Sequence, residues 1–196
     1  TGFDPIIQIR FHSVLDLKDK TPQDVLKGMD SLRKRNTKKV KRNGVKVRFL
    51  GEDEMHIFRK FMEDTAEAKD FDDREDDFYY HRLKHYKDRV LVPMAYIDFE
   101  EYINELNAEQ KNLEKEINKA EKDLNKNPEN QKAARKKENL EQQLEAHHQK
   151  VAEARDLQQK HGNELPISAG FFIINPFEVV YYAGGTANEY RHFAGS

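Results

Sequence analysis

The sequence predicts an α+β domain around a mixed or antiparallel sheet, with an antiparallel two-helix coiled-coil arm inserted into it. Three observations predict this. Between Phe99 and Leu165, apolar residues recur at steps of four and three, and the pattern breaks once, at Asn127-Pro128. Ahead of that stretch, short alternating apolar and polar runs are separated by helical patterns. After it, Ile167 to Ile174 and Phe177 to Ala183 flank the turn signal Asn175-Pro176, which reads as a hairpin. The arm is then residues 99–165, and the domain is residues 1–98 plus 166–196.

Taken in order, Ile7, Ile9 and Phe11 alternate with polar residues and predict a half-buried strand. Thr21-Pro22 opens a helix, with Thr as N-cap, Pro in the first turn and Asp24 three residues on. That helix runs in one or two pieces to Arg42, where Asn43-Gly44 stops it. Val45, Val47 and Phe49 alternate with Lys46 and Arg48 and predict a second strand. Residues 52–68 are helical, with Met55, Ile57, Phe58, Phe61 and Met62 as the buried face, and residues 76–88 form a shorter helix. Residues 89–99 are nearly all apolar, which predicts a central strand covered on both faces, with Pro93 at a bulge or an unpaired position. After the arm comes the hairpin, and Gly184-Gly185 ends its second strand. From Asn188 another helix is expected to start.

Within the arm, the first seam is Phe99, Ile103, Leu106, Leu113, Ile117, Ala120 and Leu124, with Gln110 in the one polar position. The second is Ala133, Leu140, Leu144, Val151, Ala154 and Leu157, with His147 in a seam position. Proline breaks the helix between them because it lacks an N–H and restricts the residue before it. If the chain folds back there, facing residues have position numbers with a constant sum. Leu113 meets Leu144, Ile117 meets Leu140 and Leu106 meets Val151. Gln110 then faces His147, and the two are expected to touch and fix the register. Helices of ~26 residues would reach ~40 Å.

Composition narrows the chemistry. The apolar fraction is 37% and the charged fraction 36%, a balance that the polar arm largely explains. The net charge of −2 hides two blocks. Residues 27–48 hold ten bases and one acid, and residues 52–77 hold twelve acids and four bases. With no cysteine, disulfides, thiolate metal sites and cysteine nucleophiles are excluded. No apolar run approaches the ~18 to 20 residues of a membrane span. The chain opens at Thr1 without Met and stops soon after a strand, so it is expected to be an excerpt of a longer protein.

Three groups of residues could carry chemistry. Arg33, Lys34, Arg35, Lys38, Lys39, Lys41 and Arg42 crowd one helix, a density suited to phosphate binding or to pairing with the acidic block. No glycine-rich turn precedes it, so a pyrophosphate loop for CoA is not there. Arg74 and Phe78, four apart at a helix start, share a face. They could clamp an anion and stack a substrate, or Arg74 could be a structural cation neutralised by its acidic neighbours. In Tyr181-Tyr182-Ala183-Gly184-Gly185, one tyrosine must face away from the core and the glycines permit close approach, or they form a bulge. His81 and His85 have metal-ligand spacing but no acidic third ligand, and no metal is expected. No Gly-x-Ser-x-Gly elbow or Walker-type loop occurs.

Four runs carry a resemblance: SLRKRNTKKVKRNGVKVRFL, YKDRVLVPMAYIDFEEYI, GNELPISAGFFIINPFEVVYYAGGT and RHFAGS. Together they resemble the Fem family of non-ribosomal peptidyl transferases, the aminoacyltransferases of Gram-positive cell-wall synthesis. The resemblance spans the whole chain. It implies two halves similar to GNAT acetyltransferase domains, with an arm similar to that of seryl-tRNA synthetase in the second half. This chain would be the arm and most of that second half.

The activity so implied is transfer of glycine from glycyl-tRNA to the glycine-bearing side chain of a lipid-linked muropeptide. It would take place in the cytoplasm, at the inner membrane face. The acyl donor is the charged tRNA, with no CoA and no other cofactor. Further partners implied are other Fem proteins or a second copy. The family's Arg-x-x-x-aromatic pair lands on Arg74 and Phe78, where some members carry Tyr. Its substrate-facing tyrosine lands on Tyr181 and its close-approach glycine on Gly184. Arg74 and Tyr181 are therefore expected to line one open groove. The basic helix, with Arg33, Lys34, Arg35, Lys38 and Lys39, is assigned to tRNA on charge. The family's late lysine has no counterpart, so no catalytic residue is assigned and the isolated chain is expected to be inactive. The competing reading is a non-catalytic RNA-binding or scaffolding module with an interaction arm.

Overall fold

The computed structural model describes residues 13–72, 74, 77–190 and 193. The expected strand at Ile7 to Phe11 lies outside them, as does most of the segment after Tyr190. The chain divides into two compact units, Thr1–Arg35 and Asn36–Ser196.

In the first unit, α1 spans Pro22–Gly28. Thr21 caps it as expected: its hydroxyl accepts from the Asp24 N–H, and the Asp24 carboxylate reaches back to the Thr21 N–H. The Thr21 contacts hold the Asp24 carboxyl below the usual range, the side-chain bond first and the backbone bond second. A second helix, α2, spans Ser31–Arg42 across the boundary between the units, so the helix predicted from Thr21 to Arg42 forms in two pieces, and the basic run is one of them. Asp30 starts it by accepting from the Arg33 N–H at 2.8 Å. Gly44, at φ +64°, turns the chain out of α2, and its backbone lies against Tyr102 where a Cβ would clash.

The second unit is built on an antiparallel sheet. Its strands are β1 (Val45–Phe49), β2 (Val90–Leu91), β3 (Pro93–Asp98), β4 (Glu164–Ile174) and β5 (Val179–Thr186). The order is β1-β3-β4-β2, with β5 also on β4. The arm therefore enters between β3 and β4, two strands that pair directly. A single strand over 89–99 does not form. The run breaks at Val92, Pro93 opens β3, and among the described residues β2 pairs with β4 alone. A proline N can open a strand but cannot donate within one. Nor do the glycines end β5. Gly184 pairs with Gly170 and Gly185 with Ala169, and the strand runs on to Thr186.

One sheet face is covered by α3 (Met55–Lys69) and α4 (Asp77–Tyr86). Met55, Phe58, Tyr79, Val92, Met94 and Phe171 form its core. Burying each such side chain is worth ~1.5 to 3 kcal/mol. The other face packs Ile97, Leu165 and Ile167 against Phe99, Tyr102, Leu106, Val151 and Ala154 at the base of the arm. Two register shifts matter here. Between Ala95 and Tyr96 the pairing on β4 slips past Ile167, so Ile167 serves the arm side while Ala169 serves the α3 side. Between Phe171 and Phe172 it slips again, on β5, past Tyr182.

β1 forms where the alternation predicts a strand, and its apolar residues Val47 and Phe49 stand open. Val47 is 64% exposed and Phe49 60%, because among the described residues β1 pairs on one side alone, with β3, and the arm base packs against its Val45 end.

The arm consists of α5 (Phe99–Lys126) and α6 (Gln131–His161). Twenty-eight residues of α5 span about 42 Å. Asp98 caps α5 through the Glu101 N–H, and Asn130 caps α6 through the Ala133 N–H. Every predicted seam residue is buried or half-buried, and the flanking positions are mostly exposed. Lys136–Glu116 and Lys137–Glu121 pair across the hairpin. The expected Gln110–His147 bond is absent. His147 Nε2 donates to the Leu106 carbonyl at 2.7 Å, one turn closer to the sheet, and Gln110 donates to Glu114 on its own helix. A backbone carbonyl satisfies the buried imidazole without immobilising a second side chain.

Candidate functional site

Helix α4 is the element that assembles the site. Tyr79 anchors it, 2% exposed, with its ring 5.0 Å from Phe58 and 5.5 Å from Phe171. That anchoring puts the neighbouring Phe78 at the rim of the core, half-buried and edge-on to Tyr79 at 5.1 Å. Tyr182 of β5 stacks on Phe78, with centroids 6.1 Å apart and planes 29° apart. Two guanidinium groups converge on this aromatic shelf. Arg74, in the connection before α4, lies 5.2 Å from the Phe78 centroid. Arg82, one turn after Phe78, lies 3.5 Å from that centroid and 5.2 Å from that of Tyr182. Cation–aromatic contacts of this kind contribute ~0.5 to 2 kcal/mol each and hold the planar cation in place.

The sequence-predicted residues separate into two pairs. Arg74 and Phe78 do meet, although Arg74 stands outside the helix. Tyr181 and Gly184 also meet, because the Tyr181 ring covers the space that a side chain at 184 would need. These pairs do not share a groove. Tyr181 pairs with Phe172, ring centroids 5.1 Å apart, on the face away from α3 and α4. The tyrosine beside Phe78 is Tyr182. The β-bulge is the reason. It inserts Tyr182 between the Phe171 and Phe172 pairings, and so sends adjacent tyrosines to different surroundings. Gly185 is the glycine that lets a helix approach, since a Cβ there would strike the Phe61 carbonyl of α3.

Sequence reasoning missed Arg82 and Tyr182. Arg82 could have been found from its spacing, since it stands four residues after Phe78 on the same helix face. Tyr182 could not, because a bulge leaves no mark in the alternation.

The basic helix presents a different surface. Arg33 pairs with Asp30, whose carboxyl is held low by the Arg33 N–H first and by its side chain second. Lys34 donates to the Lys27 carbonyl at 2.7 Å. Arg35, Lys38 and Lys39 are exposed. Among the described residues, Lys38, Lys39, Lys41 and Arg42 form no ion pair with the acidic block at 52–77. On β1 the cations are neutralised: Lys46 pairs with Asp98 and Glu101, and Arg48 with Glu54 and Glu164. Among the described residues no three metal-ligating side chains gather, and no helix is long and apolar enough to cross a membrane.

The FemAB family model matches residues 1–196. The chain is 73% identical over 195 residues to the aminoacyltransferase FemA of Staphylococcus epidermidis, covering 100% of this chain and 47% of that protein. It is 70% identical over 195 residues to the FemA of Staphylococcus aureus, covering 46% of that protein. The chain thus spans about half the length of the curated relatives it matches. Among solved structures, the crystal structure of FemX aligns with TM-score 0.70 at 20% identity, over 89% of this chain and 44% of that one. At that identity the likeness concerns the fold.

Proposed function

Because the chain belongs to the FemAB family, we propose that it is part of an aminoacyltransferase of cell-wall synthesis. In this reading the whole protein moves glycine from glycyl-tRNA to the glycine-bearing peptide of a lipid-linked precursor. The observation that carries the reading is the match along the full chain to proteins named aminoacyltransferase FemA, at 70% identity or more.

The chemistry asks for little beyond position and charge. The acceptor amine nitrogen attacks the ester carbonyl carbon of the aminoacyl-tRNA. A C–N bond forms, the ester C–O bond breaks, and the amine proton leaves as the terminal ribose hydroxyl is regenerated. An ester is already activated, so aligning amine with ester and stabilising the tetrahedral oxyanion supplies most of the rate. No nucleophilic side chain is required, which suits a chain with no cysteine.

We assign the acceptor to the shelf of Arg74, Phe78 and Tyr182. A cation beside two rings suits a ligand with an anionic group next to an apolar or planar one. Tyr181 and Gly184, on the other face, would meet a different part of the assembled protein or substrate. The tRNA is assigned to the cations of α2, with Arg33, Lys34, Arg35, Lys38 and Lys39 facing phosphates. The α+β body and the arm act as separate modules, and the arm would take a protein or tRNA contact. This chain alone would be inactive, and the whole protein would work at the inner membrane face without spanning it.

The test is transfer of labelled glycine from charged tRNA to the lipid-linked acceptor by the whole protein. Transfer to the peptide supports the reading. Binding of tRNA without transfer would favour the non-catalytic RNA-binding alternative.

A further inference from the structure

We propose that Arg82 grips an oxyanion of the acceptor, a phosphate or carboxylate oxygen, at the open side of the Phe78–Tyr182 shelf. The inference rests on the transferase reading above and adds to it a residue and a ligand chemistry.

Several observations carry it. A guanidinium has five N–H donors. In Arg82, Nη1 donates to the Phe78 carbonyl at 3.3 Å, and among the described residues no carboxylate pairs with the side chain. Stacking 3.5 Å above Phe78 fixes the plane of the group, so little rotamer freedom remains to be lost when a ligand binds. Arg82 is half-buried, which lowers the local dielectric relative to bulk water. A surface cavity opens beside it, lined by His81, Arg82, Lys84, His85 and Tyr86. Lys84 keeps that lining cationic even with both imidazoles neutral. The one described acid nearby on the helix, Asp77, lies toward His81 at 3.9 Å. Arg82 also rides on α4 itself, whereas Arg74 sits in the connection before it, so Arg82 is the more rigidly placed of the two cations.

A lipid-linked peptide offers oxyanions of two kinds, phosphate at the lipid linkage and carboxylate on the peptide. The same guanidinium fork accepts either.

The experiment uses the whole protein. Arg82→Gln is expected to raise the acceptor KM roughly ten- to hundredfold, the effect of losing a charge-assisted contact, with tRNA affinity unchanged. Arg82→Lys keeps the charge but loses the stacked fork, and should restore only part of the KM. Inorganic pyrophosphate and a short peptide carboxylate are then tested as competitors against the acceptor. A competitor that works on the wild type and fails on Arg82→Gln identifies the source, and either result supports the proposal. An acceptor KM unchanged in both variants overturns it. If Arg82→Gln lowers the thermal midpoint, Arg82→Lys decides, since a KM rise without a midpoint change supports binding and an unchanged KM refutes it. Loss of transfer in Arg74→Ala with no effect of Arg82 sinks this inference alone. Absence of glycine transfer in the wild type sinks the transferase reading with it.

Discussion

Tyr181 lies across Gly184 on one face of β5, while on the other face Gly185 leaves room for the Phe61 carbonyl of α3. Adjacent glycines thus serve two unrelated contacts. At 184 the nearest neighbour of an added Cβ is the end of a movable side chain, with the Ala169 carbonyl next at 3.0 Å, whereas at 185 it is helix backbone.

That difference sets the first prediction. Gly185→Ala should destabilise the protein by ~2 to 3 kcal/mol, the cost of forcing α3 off the sheet. Gly184→Ala should cost less, ~1 kcal/mol, because the Tyr181 ring can rotate away and the Ala169 carbonyl need give only slightly, and adding Tyr181→Ala should remove the part due to the ring. Urea denaturation of the three single variants and of the Gly184→Ala, Tyr181→Ala double variant measures both. Equal costs at the two glycines would contradict the packing described.

The arm gives the second. His147 is buried and donates to the Leu106 carbonyl, whereas Gln110 reaches only Glu114 on the same helix. His147→Ala should cost ~1 to 3 kcal/mol of stability through the lost packing and hydrogen bond. Gln110→Ala should stay within ~0.5 kcal/mol. A large coupling in the double mutant would mean that the two side chains do interact.

Alkaline pH gives the third. Burial pushes the Tyr102 phenol up to about 12, and Glu153, Glu109 and Glu105 add to the shift. An unfolded tyrosine ionises near ~10. Below that pH the neutral phenol is shared by both states and the stability is intact. As pH rises from ~10 to ~12, the unfolded chain ionises first and stability falls, by on the order of 2 kcal/mol. Tyr102→Phe should flatten that fall, measured by denaturant titrations across the range. An equally steep loss in the variant would show that another group drives it.

How much of this was legible in the sequence follows from which interactions are local. The α1 cap, the Gly44 stop, the arm seams and the hairpin all depend on residues within a turn or a heptad of one another. The arm register could also be tested internally, because two seams must match. What could not be seen depends on register across strands. The bulge at Tyr182 decides which tyrosine joins Phe78, and the slip at Ile167 decides which core Ala169 enters. Neither changes the apolar pattern. The exposure of Val47 and Phe49 was hidden for a related reason, since alternation gives the faces of a strand but not what covers them. In the site, the Arg74–Phe78 contact was a spacing argument and the structure has it. The joint groove with Tyr181 was not local, and the structure separates its members.

A fourth prediction concerns the basic helix. Arg33→Ala, Lys34→Ala and Arg35→Ala together should weaken tRNA binding and lower the slope of log affinity against log salt by about two to three. Retained affinity with an unchanged slope would remove α2 from the tRNA surface.

The most direct measurement is glycine transfer by the whole protein carrying Arg74→Ala, with tRNA affinity measured on the same preparation. The account predicts a fall in kcat/KM for the lipid-linked acceptor of roughly tenfold or more, with tRNA affinity unchanged. Wild-type transfer by that variant would contradict the placement of the acceptor on the Arg74–Phe78–Tyr182 shelf.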